Sequence, residues 1–197
     1  MPLSQSSDPR PGTDGHPVFP GWRWALVVGF AFPVAGLTGW AVGGHVDSAS
    51  AALIGGAITG AGLGAAQWLA AKEMFGPWPA WVAASAVGYA VGLAAGAALV
   101  GYETSLGSLA AMGAVSGAVL GGAQAFALAR QGQKQLAIAW GGAMPLLLAV
   151  GWSVTTVAGI DVDEQFTVFG AAGAVVFMVL SGLLLARFMP AREVAEA

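Results

Sequence analysis

The sequence predicts an all-α membrane protein in which six transmembrane helices form three parallel repeats of a helical hairpin. Three observations lead to this fold class: an apolar composition, six apolar stretches of bilayer length, and a pattern that recurs at constant spacing. Of the 197 residues, 57% are hydrophobic and 9% are charged, and the mean hydropathy is +0.74. A water-soluble domain carries roughly a quarter charged residues, so lipid is the expected solvent for most of the chain.

The apolar stretches match the about 20 residues that a spanning helix needs. They cover residues 23–43, 50–71, 79–100, 106–129, 136–159 and 166–188. Transmembrane strands would alternate apolar and polar residues, whereas these stretches are apolar on every face, so helices are predicted. The membrane domain is expected over 22–189, between a proline-rich, disordered tail over 1–21 and a short tail over 190–197.

The basic residues predict the orientation, because cytoplasmic loops retain Lys and Arg. All seven fall on one side of a six-span topology, namely Arg10, Arg23, Lys72, Arg130, Lys134, Arg187 and Arg192. Both termini are therefore expected to be cytoplasmic, with the protein in the plasma membrane. Six tryptophans fall near the same ends of the spans and are interpreted as interfacial anchors: Trp22, Trp24, Trp68, Trp78, Trp81 and Trp140.

An internal repeat accompanies this topology. Residues 60–73 align with residues 117–130 at an offset of 57, and the same offset continues to residues 174–187. Trp24, Trp81 and Trp140 each open an odd-numbered span. The repeating unit is thus a helical hairpin, with copies at about 22–74, 78–131 and 135–189. Because each unit holds two helices, the copies share one orientation, unlike the inverted repeats of many transporters.

Glycines spaced four apart form stripes along single helix faces, where small residues let helix backbones approach closely. The predicted helix-packing residues are Gly56, Gly60, Gly64, Gly113, Gly117, Gly121 and Gly170. Two uses of the stripes remain open at this point. They can pack the helices of one chain together, or they can hold this chain against another membrane helix.

Three polar residues share one position of the repeat, namely Gln67, Gln124 and Ser181. An unpaired amide is costly in hydrocarbon, so these side chains are expected to form interhelical hydrogen bonds. The alternative is that they line a constriction in a path for a solute.

Several function classes are disfavoured. No charged residue or histidine lies in the middle third of any predicted span, which argues against ion-coupled transport. The chain has no cysteine, and no set of catalytic or metal-binding side chains can be assembled, so no enzyme activity, metal or cofactor is predicted. The scattered basic residues form no patch for nucleic acid. The expected partners are the lipid bilayer and, in addition, a second copy or another membrane protein.

The G-x-x-x-G-x-x-Q-W-L pattern from Gly60 to Leu69 returns as G-x-x-x-G-x-x-Q from Gly117 to Gln124. It resembles small Gly/Trp-rich multi-pass bacterial membrane proteins without an assigned activity, and this resemblance implies a location and a fold but no function. The leading hypothesis is a structural or accessory subunit that packs against other membrane helices through its Gly/Ala stripes. The alternative is a channel-like facilitator for an uncharged small solute.

Overall fold

The computed structural model describes residues 19, 21–159 and 165–188, and all regular secondary structure in these ranges is α-helical. The prediction of an all-α protein is confirmed. The helices are α1 (Gly21–Gly43), α2 (Ala49–Phe75), α3 (Trp78–Leu99), α4 (Leu106–Arg130), α5 (Lys134–Val157) and α6 (Ala171–Ala186). The predicted tails, together with Arg10 and Arg192, lie outside the described residues.

The six helices form a closed ring. Each helix packs against its neighbours in the sequence, and α1 packs against α6 to complete the circle. Short connections make α1 to α5 successively antiparallel, and α6 runs antiparallel to α1, because Gly29 lies near Met178 and Gly182 lies near Trp24. Odd helices therefore begin where even helices end. The basic residues of the described part therefore share one end of the bundle, here called the basic end: Arg23, Lys72, Arg130, Lys134 and Arg187.

The outer surface of the ring is apolar. Five helices, α1 to α5, are long and apolar enough to cross a membrane, whereas α6 is apolar but has only 16 residues. Phe30, Leu146 and Ile138 are 73%, 70% and 77% exposed on the outside of the bundle. Such side chains are stable in contact with lipid and unfavourable in contact with water. The structure thus supports a multi-pass membrane protein.

The sixth apolar stretch, predicted to be helical from residue 166, is helical only from Ala171. Residues 165–170 enter the bundle without helical structure, and Thr167, Val168 and Phe169 are buried. Hydrogen bonds to neighbouring helices replace the helical hydrogen bonds that this segment lacks. The hydroxyl of Thr167 donates to the carbonyl oxygen of Gly36 at 3.0 Å, and its own carbonyl accepts from the hydroxyl of Tyr89 at 2.7 Å.

Candidate functional site

Four aromatic side chains fill the interior at the basic end. Trp24 and Trp81 come from the first turns of α1 and α3, Trp140 comes from the second turn of α5, and Phe75 comes from the last turn of α2. Phe75 stacks on Trp81 at 3.9 Å between ring centroids, and Trp140 lies 6.2 Å from Trp24 and 6.1 Å from Trp81. All four are at most 1% exposed. This aromatic layer closes the basic end of the ring.

The prediction that these three tryptophans are interfacial anchors is therefore wrong. Trp22 and Trp78, which precede two of them by two or three positions, are 71% and 57% exposed and lie where an anchor is expected. For Trp22 and Trp24 the difference is one of helix face, because two positions turn a side chain by about 200° around the helix axis, whereas Trp78 is the first residue of α3. Hydropathy alone does not separate the two faces of a helix that is apolar all round.

A polar layer lies directly beneath the aromatic layer and is centred on Gln124 of α4. Its amide nitrogen donates to Oε1 of Gln67 at 3.1 Å and to the hydroxyl oxygen of Ser85 at 2.8 Å. Its amide oxygen accepts from the indole nitrogen of Trp140 at 2.7 Å. Gln124 thus joins α2, α3 and α5 to α4 while it is only 1% exposed.

Ser181, the third predicted polar residue, belongs to a separate pair. Its hydroxyl oxygen accepts from the indole nitrogen of Trp24 at 3.2 Å, and its hydroxyl donates to the carbonyl oxygen of Phe177 at 2.6 Å. The structure therefore brings Gln67 and Gln124 together but gives Ser181 a different partner. In both pairs the indole belongs to an odd-numbered helix and the polar side chain to the even-numbered helix that precedes it around the ring. These are α5 with α4 and α1 with α6. The indole nitrogen of Trp81 has no hydrogen-bond partner among the described residues.

The centre of the polar layer contains a small cavity of about 20 Å³. Its polar lining comes from Gln67, Ser85, Tyr89 and Gln124. A buried water molecule needs roughly 10–15 Å³ of such space, so the cavity has room for one water molecule and for no larger solute. Most of the other lining residues are apolar, among them Phe32, Leu120 and Met144, so the cavity has neither the size nor the lining of a solute path.

Residues 165–170 close the interior on the other side of this cavity. Val168 and Phe169 are 7% and 3% exposed, and Phe169 packs against Phe32 at 5.1 Å and Phe177 at 6.0 Å. Oγ1 of Thr167 lies 2.8 Å from Oγ1 of Thr59 on α2. This closure was not predicted from the sequence, although the β-branched and aromatic run before Gly170 carries a local signal against a helix.

The glycine stripe of α2 packs inside the bundle, against α3. A Cβ atom added at Gly56 would lie 2.9 Å from the Cα of Ala90, and one added at Gly64 would lie 2.5 Å from the Cβ of Ser85. Gly60, between them, meets the backbone of Ser85. This stripe is therefore occupied within the chain.

The stripe of α4 packs in the same way against α5. A Cβ atom at Gly113 would lie 2.7 Å from the carbonyl oxygen of Leu148, and one at Gly121 would lie 2.6 Å from the Cβ of Met144. Gly117 meets the backbone of Met144. A third set on α3, not identified from the sequence, faces α4 and consists of Gly88, Gly92 and Gly96.

Gly170, grouped with the stripe residues in the sequence analysis, lies outside any helix. It occupies the N-cap of α6, with φ −72° and ψ −176°. Gly173, one turn later, makes the close approach instead, because a Cβ atom there would meet the backbone of Gly151 on α5. The repeat offset therefore predicts which part of the chain packs against α5, but the glycine at the contact is Gly173 and not Gly170.

The described part of the chain contains no group of three or more His, Cys, Asp or Glu side chains that could hold a metal ion. Comparison with protein-family models, curated proteins and solved structures found no match for this chain. The candidate site is therefore defined by its geometry: an aromatic layer, a polar layer and a buried extended segment stacked along the axis of the ring.

Proposed function

We propose that this protein is an integral structural or accessory component of the plasma membrane, with a closed interior that conducts no solute. One observation carries the proposal: the polar residues on the axis bond one another around a cavity of about 20 Å³, between the aromatic layer and the buried segment 165–170. A solute path needs a continuous polar cavity. The interior has the packing of a protein core.

In this proposal the chain crosses the membrane six times. The helix α6 is about 24 Å long at ~1.5 Å per residue, which is shorter than the roughly 30 Å hydrocarbon core. Residues 165–170 extend the sixth crossing, and the amide of Val46 in the α1–α2 connection donates to the carbonyl oxygen of Gln165 at 2.9 Å. Non-helical backbone is tolerated at membrane depth where protein buries it and neighbours bond it, as they do here.

The proposal also treats the chain as three parallel hairpin repeats with both termini in the cytoplasm. Support for the repeats comes from Trp24–Ser181 and Trp140–Gln124, two bonds between corresponding helices of the repeats. Support for the orientation comes from the basic end. Reporter tags at residues 1 and 197 should both report the cytoplasm, and a tag at 103–105 the outside. An external signal from either terminus contradicts the orientation.

Any protein partner would have to use other surfaces than the glycine stripes of α2 and α4, which face α3 and α5 of the same chain. This point changes the leading hypothesis from the sequence, in which the stripes themselves held the partner. The accessory role then concerns the lipid-facing outside of the ring, while the stripes contribute to the stability of the chain itself.

A facilitator for an uncharged small solute is the second candidate, because Gln67, Ser85 and Gln124 line a cavity on the axis of the ring. Swelling of proteoliposomes in urea and glycerol separates the two. The structural proposal predicts rates equal to those of protein-free liposomes. A faster rate in the parent protein that disappears in Gln124→Leu would overturn it in favour of the facilitator.

A further inference from the structure

The hydrogen bonds of the polar layer fix which way each of its amide groups points. The indole nitrogen of Trp140 can only donate, so the atom of Gln124 that faces it at 2.7 Å is the amide oxygen. The amide nitrogen of Gln124 therefore points the other way, and it donates to Gln67 at 3.1 Å and to Ser85 at 2.8 Å. The atom of Gln67 that accepts this bond is its amide oxygen.

The amide nitrogen of Gln67 is left without an acceptor. With its oxygen turned towards Gln124, Gln67 has two N–H bonds that donate to no other residue in the described part of the chain. The side chain is only 3% exposed. An amide that donates no hydrogen bond is costly in hydrocarbon, and buried polar groups of native proteins are nearly always satisfied. A partner from outside the chain is therefore expected at this nitrogen.

Open space lies against the same nitrogen. Among the described residues, the fully enclosed side-chain nitrogens without a partner are those of the indoles of Trp40, Trp81 and Trp152. The amide nitrogen of Gln67 also has no partner but is not one of these enclosed atoms, so it borders space that a water-sized molecule can reach. The space that Gln67 lines is the cavity of about 20 Å³ on the axis of the ring.

The hydroxyl groups that line the cavity offer acceptors. The hydroxyl of Ser85 donates to the carbonyl oxygen of Trp81 at 2.9 Å. The hydroxyl of Tyr89 donates to the carbonyl oxygen of Thr167 at 2.7 Å. Both hydrogens are thus committed outside the cavity, while the two oxygen atoms keep the capacity to accept. The cavity therefore combines two N–H donors from Gln67 with two hydroxyl oxygens that can accept.

A ligand that fits this lining must both accept and donate hydrogen bonds. A cation cannot accept from an N–H group, an anion cannot donate to a hydroxyl oxygen, and either ion would also lose its hydration in the membrane interior. A water molecule does both, and the space admits one. Buried water molecules in proteins typically make about three hydrogen bonds to groups that would otherwise be unpaired.

We infer that the polar layer contains a binding site for one structural water molecule. The water accepts from the amide nitrogen of Gln67 on α2 and donates to the hydroxyl oxygens of Ser85 and Tyr89 on α3. It thereby completes the hydrogen bonds of the polar layer and links α2 to α3. This inference goes beyond the proposed function. One enclosed water molecule is compatible with a closed interior, because it connects the cavity to neither surface.

The direct test is a crystal structure of the full chain, grown from a lipidic phase, at a resolution that shows ordered water. We expect one peak of density in the cavity, within about 3.2 Å of the amide nitrogen of Gln67. Gln67→Met keeps the length of the side chain but removes the amide, so the peak should be lost. Gln131→Met is the matched control. It removes a glutamine amide that bonds backbone carbonyls of Phe75 and Ala127, and the peak should remain.

An empty cavity in the parent protein would overturn the site, and so would a protein oxygen atom bonded to the amide nitrogen of Gln67. A peak that persists unchanged in Gln67→Met would overturn the role assigned to Gln67. Loss of the peak from both variants would contradict that role as well.

A second measurement needs only the parent protein, in case Gln67→Met does not fold. Transfer of magnetisation from water to side-chain protons is measured by NMR in detergent micelles. We expect transfer to the amide protons of Gln67 and none to the indole N–H of Trp81, which is also buried but fully enclosed. The absence of transfer to Gln67 would overturn the bound water.

Discussion

The helices α2 to α5 and the α1–α6 interface are held together in different ways. At the α2–α3, α3–α4 and α4–α5 interfaces, glycines lie directly against backbone atoms of the next helix. A Cβ atom added at Gly92 would contact the carbonyl oxygen of Ser116, and one added at Gly117 would contact that of Met144. At the α1–α6 interface the glycines meet only side chains: Gly29 faces the sulfur of Met178, and Gly182 faces the indole of Trp24. Added Cβ atoms would also meet backbone between α1 and α2, at Gly39, and between α5 and α6, at Gly173, so in the described part of the chain the α1–α6 interface is the one without such close backbone contact.

This difference shows where the ring can accommodate change. Backbone contact in a membrane depends on van der Waals packing, which a single added side chain disrupts. An interface made of flexible side chains can adjust, and Met is the most adaptable of them. We therefore expect substitutions within α2 to α5 to be costly, and equivalent substitutions at the α1–α6 interface to be mild.

The largest effect is expected from Gly117→Leu. Its side chain would displace the backbone of Met144 and Pro145, so the loss of stability should reach about 3 kcal/mol or more. Gly122→Leu is the matched control on the same helix, because no atom lies within 4 Å of a Cβ added there. Thermal unfolding in detergent, with size measured by gel filtration, tests the pair. Equal unfolding temperatures for the two variants would show that α4 does not pack on α5 through this face.

The polar layer is expected to produce the next largest effect. Gln124→Leu removes three hydrogen bonds and takes away the partner of the Trp140 indole nitrogen and of Oε1 of Gln67, so it should cost roughly 2 kcal/mol at about 0.6 kcal/mol or more per bond. Ser181→Ala, at the corresponding repeat position beside the α1–α6 interface, removes one longer bond to Trp24 and should cost about 0.5 kcal/mol. The same unfolding assay applies. If Ser181→Ala lowers the unfolding temperature as much as Gln124→Leu, the stabilising polar contacts are not concentrated in α2 to α5.

The tryptophans allow hydrogen bonding to be separated from packing. Trp140→Phe and Trp81→Phe both remove part of a fully buried ring, but only Trp140 donates its indole N–H to another residue of the described chain. Trp140→Phe should therefore be the more destabilising by about 1 kcal/mol. Urea unfolding followed by circular dichroism provides the comparison. A larger loss for Trp81→Phe would mean that stacking on Phe75 outweighs the bond to Gln124.

The smallest effect is expected from Gly29→Ala. The added methyl group meets the sulfur of Met178 at 2.7 Å, and this flexible side chain can move aside, so the cost should stay under about 1 kcal/mol. Gly117→Ala, which meets backbone atoms of Met144 and Pro145, is the comparison. A cost for Gly29→Ala equal to that of Gly117→Ala would remove the distinction between the two regions.

Much of this architecture could be predicted from the sequence, because bilayer length and apolar composition are local properties. The all-α class and the buried positions of Gln67, Gln124 and Ser181 are examples. The mutual bond of the two glutamines also fits the expectation of interhelical hydrogen bonds, although the sequence did not identify Ser85 as a further partner.

Other features depend on the tertiary structure. Burial of Trp24, Trp81 and Trp140 depends on which face of an apolar helix turns inwards, and hydropathy does not encode that face. The start of α6 at Ala171 depends on bonds from Thr167 to α1 and from Tyr89 to Thr167, which lie 131 and 78 residues apart in the sequence. A groove on the outside of the ring between α1 and α6 exists because residues 165–170 turn inwards in place of a longer α6.

The closed interior is tested most directly by its access to water. The chain has no native cysteine, so single cysteines can be placed at Ser85, in the polar layer, and at Ser50, exposed at the start of α2. Both variants are treated in membrane vesicles open to both sides with a small water-soluble thiosulfonate. We predict rapid labelling of Ser50→Cys and no labelling of Ser85→Cys until the protein is unfolded. Rapid labelling of Ser85→Cys in the folded protein would contradict the account and show that water reaches the axis of the ring.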